Sequence, residues 1–477
     1  MNLNQAYSRE IMLQIASRLD KFFQKDIRSF EYTSDVFRNA YYLGNLPQAS
    51  TDVIEIEVNG DIKNRVAITK EAYKLLKSIS SPQAIISFYS TNGSKRWRLS
   101  LLTTYYEIVE GKVIANQSNP RRFSYLLGDG AKIATPMKYL IDKGNLVDFN
   151  DLKSRFSMEV VNKEFYEKIA LLFTKLVGGK RKVGRSNENF EGLLSINGII
   201  NPIMEHQEFA VRLIGRLLFA WFLKEKKSSN KIPLISDDVL SLSAIKKSKD
   251  YYHDVLEILF FEILNTKLPH RRLAFNNVKY RTIPYLNGGL FSPHKTDYYI
   301  FDNTQKPIMI PNIWFEELFE IFETYNFTVD ENTSFDIELS IDPEMLGRIF
   351  ENLLAEINPD TGESARKSTG SFYTPRYIVE YMVNQSINAY LKTSTELSTD
   401  QINYITSDNF GFDEQVKFSE SEKRHIIRSL QKVKILDPAC GSGAFPIGLL
   451  QRINHIVSII DPDASIWNEA EFKNLSP

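Results

Sequence analysis

Apolar and polar residues alternate in several short segments near the start of the chain. Val53 to Val58 alternates apolar side chains with two glutamates, which predicts a half-exposed β-strand. Residues 84–89 and 97–103 are mainly apolar and flank Asn92-Gly93, a pair typical of the turn between two antiparallel strands. Together with an amphipathic helix predicted over residues 3–24, this pattern indicates an N-terminal α/β domain.

Further along, the spacing of apolar residues becomes helical. Phe209, Leu213 and Leu217 share one helical face, and residues 251–264 follow the same period, which predicts buried helices. Residues 339–354 predict another amphipathic helix. Before these helices stands Gly178-Gly179-Lys180-Arg181-Lys182, which we interpret as a solvated linker that is either a plain hinge or a DNA contact.

Near the carboxyl end, residues 434–445 read K-I-L-D-P-A-C-G-S-G-A-F. The apolar run before Asp437 predicts a buried strand, Gly441 to Gly443 a tight turn, and residues 445–456 a helix. A strand, a glycine turn and a helix in this order open nucleotide-binding α/β units. Glycine suits the turn because it lets backbone amides approach a ligand and adopts positive φ without strain.

A second motif, T-G-S-F-Y-T-P, occupies residues 369–375 and precedes a helical pattern. The pair resembles motifs X and I of S-adenosylmethionine-dependent, adenine-specific DNA methyltransferases. The long N-terminal extension resembles that of type IIG restriction-modification enzymes, which combine nuclease, methyltransferase and target recognition in one polypeptide. A Rossmann-like turn that binds another nucleotide is the alternative.

The resemblance implies a binding site for S-adenosylmethionine. A zwitterionic ligand of this kind calls for backbone donors, hydroxyls and a carboxylate in one cleft. Cys440 lies within the turn, but the sequence offers no base to activate it, and we interpret it as a packing residue. By the resemblance, the cofactor-binding residues are Tyr373, Thr374 and Pro375 of the first motif, and Asp437, Pro438, Ala439, Gly441, Gly443 and Phe445 of the second.

Methylation of the adenine amine needs more than the cofactor site. The base must be flipped out and its amine oriented, which the family does with an Asn/Asp-Pro-Pro-aromatic tetrad. No such tetrad occurs in the 477 residues, and no acid at the tip of a second Rossmann strand is identifiable. We therefore expect this chain to be the N-terminal part of a longer enzyme and not to methylate DNA by itself. We assign none of its residues as catalytic for methyl transfer. The alternative is a non-catalytic, DNA-binding scaffold that a separate C-terminal chain with the tetrad completes. Double-stranded DNA is the expected partner in both cases.

Acidic residues on the Val53–Val58 strand suggest a second activity. A nuclease of the PD-(D/E)xK kind holds Mg²⁺ with carboxylates on neighbouring strand positions and uses a lysine to polarise water. Asp52, Glu55 and Glu57 are the candidates, but Asn59 stands where the lysine is expected. The alternatives are an active or decayed Mg²⁺-dependent endonuclease, or glutamates on the exposed face of an edge strand.

Composition narrows the class of protein. The formal net charge is −1, so any DNA contact depends on local clusters of Lys and Arg. A single cysteine excludes an internal disulfide, and no apolar run approaches the roughly 18 residues of a membrane span. We expect a cytoplasmic protein of mixed α/β and α class with several domains. These are an α/β, nuclease-like domain over residues 1–175, a helical connector over 176–335, and an incomplete Rossmann-like methyltransferase domain over 336–477.

Overall fold

The structure is a computed structural model. It describes residues 1–469 apart from 33, 93–94, 104–106, 110–111, 115–120, 197–201, 228–231, 273–277, 287–288, 300–306, 329–335, 342–344, 346, 348, 350–351, 354–373, 375, 408–409, 412–415 and 441–442.

A mixed sheet of seven strands forms the first part of the molecule. Its order is β1-β2-β3-β4-β5-β8-β13, with β3–β4 and β8–β13 parallel and the other neighbours antiparallel. The strands are β1 (Gln24–Ser29), β2 (Phe37–Leu46), β3 (Thr51–Val58), β4 (Gln83–Tyr89), β5 (Arg96–Thr103), β8 (Arg121–Gly128) and β13 (Asp336–Glu338). The predicted strands over residues 53–58, 84–89 and 97–103 are therefore confirmed, although Gly93 of the predicted turn lies outside the described residues.

Helices cover both faces of this sheet because strands β2 to β5 alternate their side chains between two apolar cores. Helix α1 (Arg9–Leu19) packs on one face with Val53, Ile85 and Trp97, and Ser8 caps its first turn. Helix α2 (Arg65–Ser78) connects β3 to β4 and packs on the other face. The predicted first helix is thus present but shorter, since the chain is extended again from Gln24.

Strand β13 returns the chain to this sheet from a point more than 200 residues downstream. Its Glu338 accepts a hydrogen bond of 2.7 Å from Arg98 of β5, and Arg65 lies 3.8 Å away. Burial opposes charge on Glu338, but the two cations prevail and lower its pKa. The sequence had placed the start of the methyltransferase domain at residue 336, and this strand instead belongs to the N-terminal sheet.

A large helical core follows the sheet. Its aromatic centre includes Trp221, Trp314 and Phe319, all buried. Its elements are α5 (Met158–Val177), α6 (Pro202–Glu225), α7 (Leu242–Lys247), π-helical turns at Tyr252–Leu256 and Ile258–Leu264, α8 (Val278–Arg281) and α9 (Asn312–Thr324), with 3₁₀ turns at Leu268–His270, Gly289–Phe291 and Lys295–Asp297. The short elements that pack with α1 on the sheet are the 3₁₀ turn Pro47–Ala49, α3 (Ala134–Pro136), the π-helical turn Met137–Asp142 and α4 (Phe149–Arg155). The predicted helices over 206–222 and 251–264 are confirmed.

Three small antiparallel ribbons accompany these elements. The predicted linker at Gly178–Lys182 is wrong, because these residues enter a hairpin instead. The ribbons are β6 (Glu107–Val109) with β7 (Lys112–Ile114), β9 (Gly179–Val183) with β10 (Ser186–Phe190), and β11 (Ser195–Ile196) with β12 (Ile308–Met309).

The carboxyl-terminal part is a cluster of helices with its own apolar core. Its elements are α10 (Arg376–Ser394), α11 (Thr399–Ile405), α12 (Glu420–Lys432) and α13 (Ala444–Ile460). Of the helix predicted over 339–354, the described residues 345, 347, 349, 352 and 353 are helical, whereas Leu339 to Ile341 continue from β13. Among the described residues, none of the helices is both long and apolar enough to cross a membrane.

Candidate functional site

The segment between α12 and α13 carries the predicted cofactor turn. Residues 433–437 are not a strand, and Leu436 is 89% exposed, so the predicted buried strand is wrong. The physical reason is that a strand needs a hydrogen-bonded neighbour, and no described strand pairs with this segment. Pro438, Ala439 and Cys440 are exposed, and Gly441 lies outside the described residues.

Asp437 is nevertheless held in a defined local geometry. Its Oδ1 accepts a hydrogen bond of 3.0 Å from the backbone amide of Ala439, which closes a small turn. Its other oxygen, Oδ2, is buried and has no hydrogen-bond partner in the described part of the chain. A buried carboxylate oxygen without a donor is costly, so this atom fits a bound ammonium or hydroxyl group.

The end of the turn is fixed by Gly443. Its φ is +88°, in the left-handed region that favours glycine, and its amide donates to the carbonyl of Cys440 at 2.7 Å. Gly443 is followed by α13, whose Phe445 is half-buried against the carboxyl-terminal core. The first amides of a helix have no partner within it and carry partial positive charge, which suits an anionic ligand group.

The helices that follow the two motifs pack against each other. A Cβ on Gly448 of α13 would lie 2.8 Å from Val379 Cγ1 of α10, so only glycine permits this approach. Val379 lies three residues after the start of α10 and Gly448 four residues after the start of α13, about 4.5 and 6 Å along the respective axes. The structure therefore brings the starts of α10 and α13 together. Thr374 is half-buried just before α10, whereas Tyr373 and Pro375 lie outside the described residues.

Helix α13 is held by polar contacts in its middle and second half. Arg452 donates to the carbonyls of Ile405 and Ser407 at 3.0 and 2.6 Å, and His455 Nε2 lies 3.3 Å from the carbonyl of Phe410. Burial lowers the pKa of His455 to about 4. The glycine turn is thus mounted on a helix with a fixed position. Gly448 is a residue that sequence reasoning missed, although a glycine within an apolar helix is a signal of close packing.

The acidic residues of β3 are arranged neither as a shared metal site nor as an exposed strand edge. Glu55 and Glu57 are only 1% and 8% exposed on an inner strand, so the interpretation as an exposed strand edge is wrong. Asp52 lies on the opposite face, since Glu55 and Glu57 share the face of Val53 whereas Asp52 shares that of Ile54. The strand therefore does not bring the three candidate carboxylates together.

Each glutamate has partners. Tyr7 donates to Glu55 at 2.5 Å and Arg9 at 2.7 Å, and burial together with this carboxylate raises the pKa of Tyr7 well above its usual range. Glu57 accepts hydrogen bonds of 2.7 Å from both Thr91 and Asn39, and these bonds lower its pKa. Tyr7 and Arg9 could not be predicted from the strand pattern, because they are 46 or more residues away in sequence.

Asp52 has its own hydrogen-bond network on the other face. It accepts from Tyr42 and Asn45 at 3.1 and 3.0 Å through one oxygen, and from Ser81 at 2.6 Å through the other. In the described ranges, no group of three or more His, Cys, Asp or Glu is placed to share a metal ion. The endonuclease and its Mg²⁺ stay predictions, without support from this geometry.

Arg98 of β5 and Arg122 of β8 are two cations of the seven-stranded sheet. Trp97 is fully buried, Arg98 pairs with Glu338, and Arg122 donates to Ser100 and Thr69 at 3.0 Å beneath the sheet. Neither guanidinium is exposed to solvent. These two arginines stabilise the sheet and do not form a DNA-binding face.

Comparison with known proteins gives one relevant similarity. The chain is 31% identical over 330 residues to a protein of Methanocaldococcus jannaschii named "putative type II restriction enzyme and methyltransferase". The aligned part covers 62% of this chain and 26% of that protein, so the chain spans about a quarter of the length of the relative. No family model matches the chain, and no solved structure matches it.

Proposed function

We propose that this chain contributes the cofactor-binding turn of an S-adenosylmethionine-dependent DNA methyltransferase in a restriction-modification system. The similarity to a protein named as a restriction enzyme and methyltransferase supports the class. The observation that carries the cofactor site is the close packing of α10 on α13, beside a turn in which Asp437 Oδ2 is buried without a donor among the described residues.

The residues of the turn have complementary roles in this proposal. Asp437 accepts a hydrogen bond from the ammonium or a hydroxyl group of the ligand. The start of α13, after Gly443, faces the carboxylate of the ligand. Thr374 offers a hydroxyl at the start of α10. When bound, S-adenosylmethionine supplies an activated methyl group.

The methyl acceptor that we propose is the exocyclic amine of adenine in double-stranded DNA. This rests on the resemblance of residues 369–375 and 434–445 to the two cofactor motifs of type IIG enzymes. The Asn/Asp-Pro-Pro-aromatic tetrad that would orient the flipped base has no match in this sequence. We propose that it is contributed by a further part of the enzyme or by a partner chain.

An exposed apolar surface beside the turn supports the proposal that another part of the enzyme, or a partner chain, packs against this region. On a helix of 3.6 residues per turn, Leu450 lies about 200° from Gly448, so it points away from α10. Tyr381 is related in the same way to Val379 and points away from α13. Such residues are covered when a helix packs on a parallel sheet. The exposed apolar residues are Tyr381, Met382, Ile435, Leu436, Ile447 and Leu450.

Binding of the cofactor to the 477-residue protein is the direct test. Calorimetry with S-adenosylmethionine should give a saturable isotherm that Asp437→Asn weakens at least tenfold, because a charge-assisted hydrogen bond is worth about 1.5–3 kcal/mol. Asp463→Asn is the matched control, since Asp463 is an exposed carboxylate beyond the far end of α13. It should bind as the wild type does.

Two results would contradict the proposal. One is equal affinity of the wild type and the Asp437→Asn variant, which would place the ligand elsewhere. The other is that ATP or NAD binds at a lower concentration than S-adenosylmethionine and displaces it. This result would favour the alternative of a Rossmann-like turn that binds another nucleotide.

Whether residues 433–437 join a sheet formed by another polypeptide can be tested separately. A polypeptide that carries the tetrad and further Rossmann strands should slow amide hydrogen exchange across residues 433–437, because these amides would then enter a sheet. A stable complex in which residues 433–437 exchange as fast as before would contradict this part of the proposal.

A further inference from the structure

The hairpin of β9 and β10 is an exposed element rich in cations. It carries Lys180, Arg181, Lys182 and Arg185, and its one carboxylate is Glu188. Val183 pairs with Ser186, so the loop is Gly184-Arg185. Gly184 has a φ of +61°, as the first position of a type II′ turn requires.

The stem of the hairpin is built to hold it in one position. Gly178 and Gly192 both have a φ of +88°, and a Cβ on Gly192 would lie 3.1 Å from the amide nitrogen of Gly178. Just beyond this crossing, the amide of Leu193 donates to the carbonyls of Lys175 and Leu176 at 3.0 Å. Leu194 is then buried in the helical core. The ribbon therefore projects from the end of α5 as a fixed element.

The two faces of the ribbon differ in charge. Residues directly opposite in an antiparallel pair share a face, and so do residues two apart along a strand. Arg181 lies opposite Glu188, so cation and carboxylate offset each other on one face. On the other face Lys180 lies opposite Asn189 and Lys182 opposite Asn187, and all four side chains are exposed. Within the paired residues of β9 and β10 this Lys–Asn face has no acidic member, and exposed Glu191 follows just beyond β10 at the stem.

We propose that the Lys–Asn face of the β9–β10 hairpin binds the phosphate backbone of double-stranded DNA. A two-stranded ribbon fits the major groove, and lysine with asparagine side chains are donors typical of phosphate contacts. The formal net charge of −1 offers no general attraction, so a local cluster of this kind has to supply it. DNA as the polyanion rests on the proposed function.

Salt dependence of DNA binding tests this inference. Anisotropy of a labelled 30-base-pair duplex is measured with the 477-residue protein from 50 to 300 mM NaCl. Lys180→Gln with Lys182→Gln removes two phosphate contacts and should lower the slope of log K against log[salt] by about 1.8, which weakens binding roughly 60-fold at 0.1 M salt. Lys246→Gln with Lys247→Gln is the matched control, because these lysines are exposed neighbours on α7. The control should keep the wild-type slope.

The outcomes separate this inference from the cofactor site. An unchanged slope in the hairpin variant, or equal losses in hairpin and control variants, overturns the inference while cofactor binding stands. Absence of duplex binding by the wild type also overturns it, as does hairpin-dependent preference for single-stranded RNA over the duplex. If instead the cofactor fails to bind while duplex binding depends on the hairpin, the proposed methyltransferase is wrong and the hairpin contact is supported.

Discussion

A buried ion pair between Arg216 of α6 and Asp297 gives a quantitative test of how the helical core is held. Arg216 Nη1 and Nη2 lie 3.0 and 2.8 Å from the two carboxylate oxygens, and the two side chains are 2% and 0% exposed. Arg216 also donates to the carbonyls of Leu290 and Ser292 at 2.7 and 3.1 Å. The pair therefore fixes the chain around residues 289–297 against α6.

Asp297→Ala removes the carboxylate and leaves a guanidinium in an apolar core. Breaking a buried pair in this way costs about 3–5 kcal/mol. A second cation, Arg212, lies 3.6 Å from Asp297 and loses the same partner, so we expect the upper part of that range. For a cooperative unit of 150–250 residues, a loss of about 4–5 kcal/mol corresponds to a fall in Tm of roughly 8–20 °C.

Calorimetric and urea unfolding of the variant would measure the loss. The control is Arg216→Met combined with Asp297→Leu, which removes both charges and keeps apolar volume. Because the desolvation of two charges offsets most of their attraction, this double variant should be less destabilised than Asp297→Ala. The loss that remains comes from Arg212 and from the carbonyls of Leu290 and Ser292, which lose a partner in the double variant. A loss below 1 kcal/mol for Asp297→Ala, or a double variant as unstable as the single one, would refute the reasoning.

Two further predictions concern the carboxyl-terminal helices and the hairpin stem. The pKa of His455 falls from 6.5 unfolded to about 4 folded, so the unfolded chain takes up the proton first as the pH drops through this window. The free energy of unfolding should decrease by about 2 kcal/mol between pH 7 and pH 5, and His455→Gln should remove this part of the pH dependence in urea titrations. Gly192→Ala should destabilise the fold by about 1–3 kcal/mol, because it combines a φ of +88° with backbone atoms 3.1 Å from the new Cβ. Gly144→Ala, at a φ of +85° with open space around it, should cost only the strain, and equal Tm values for the two variants would contradict the proposed crossing.

Local patterns predicted the elements that local forces determine. The strand over residues 53–58 and the helix from His206 follow directly from the spacing of their apolar residues, and both are present. The β9–β10 hairpin was missed because two glycines and three cations also describe a linker. Gly184 at the head of a two-residue loop was the available signal, since a type II′ turn needs glycine there.

Long-range contacts account for what the sequence could not provide. Alternation along β3 shows that Glu55 and Glu57 share a face of the sheet, but it does not show whether that face is exposed to solvent. Glu55 is paired with Arg9, the first residue of α1, and accepts a hydrogen bond from Tyr7 just before this helix, so the pairing depends on how α1 lies on the sheet. The same limit applies to β13, whose place beside β8 has no local signature over three residues.

The segment before the glycine turn shows the limit most clearly. Ile435 and Leu436 have the apolar side chains of an inner strand, yet they are 48% and 89% exposed, because no described strand lies beside them. The apolar pattern encodes burial against a neighbour, and the neighbour is what makes the strand. Asp437 and Gly443 adopt their turn without it, since the hydrogen bonds to Ala439 and Cys440 are local. We therefore expect the turn to bind its ligand weakly by itself and more tightly once a sheet holds Leu436 in place.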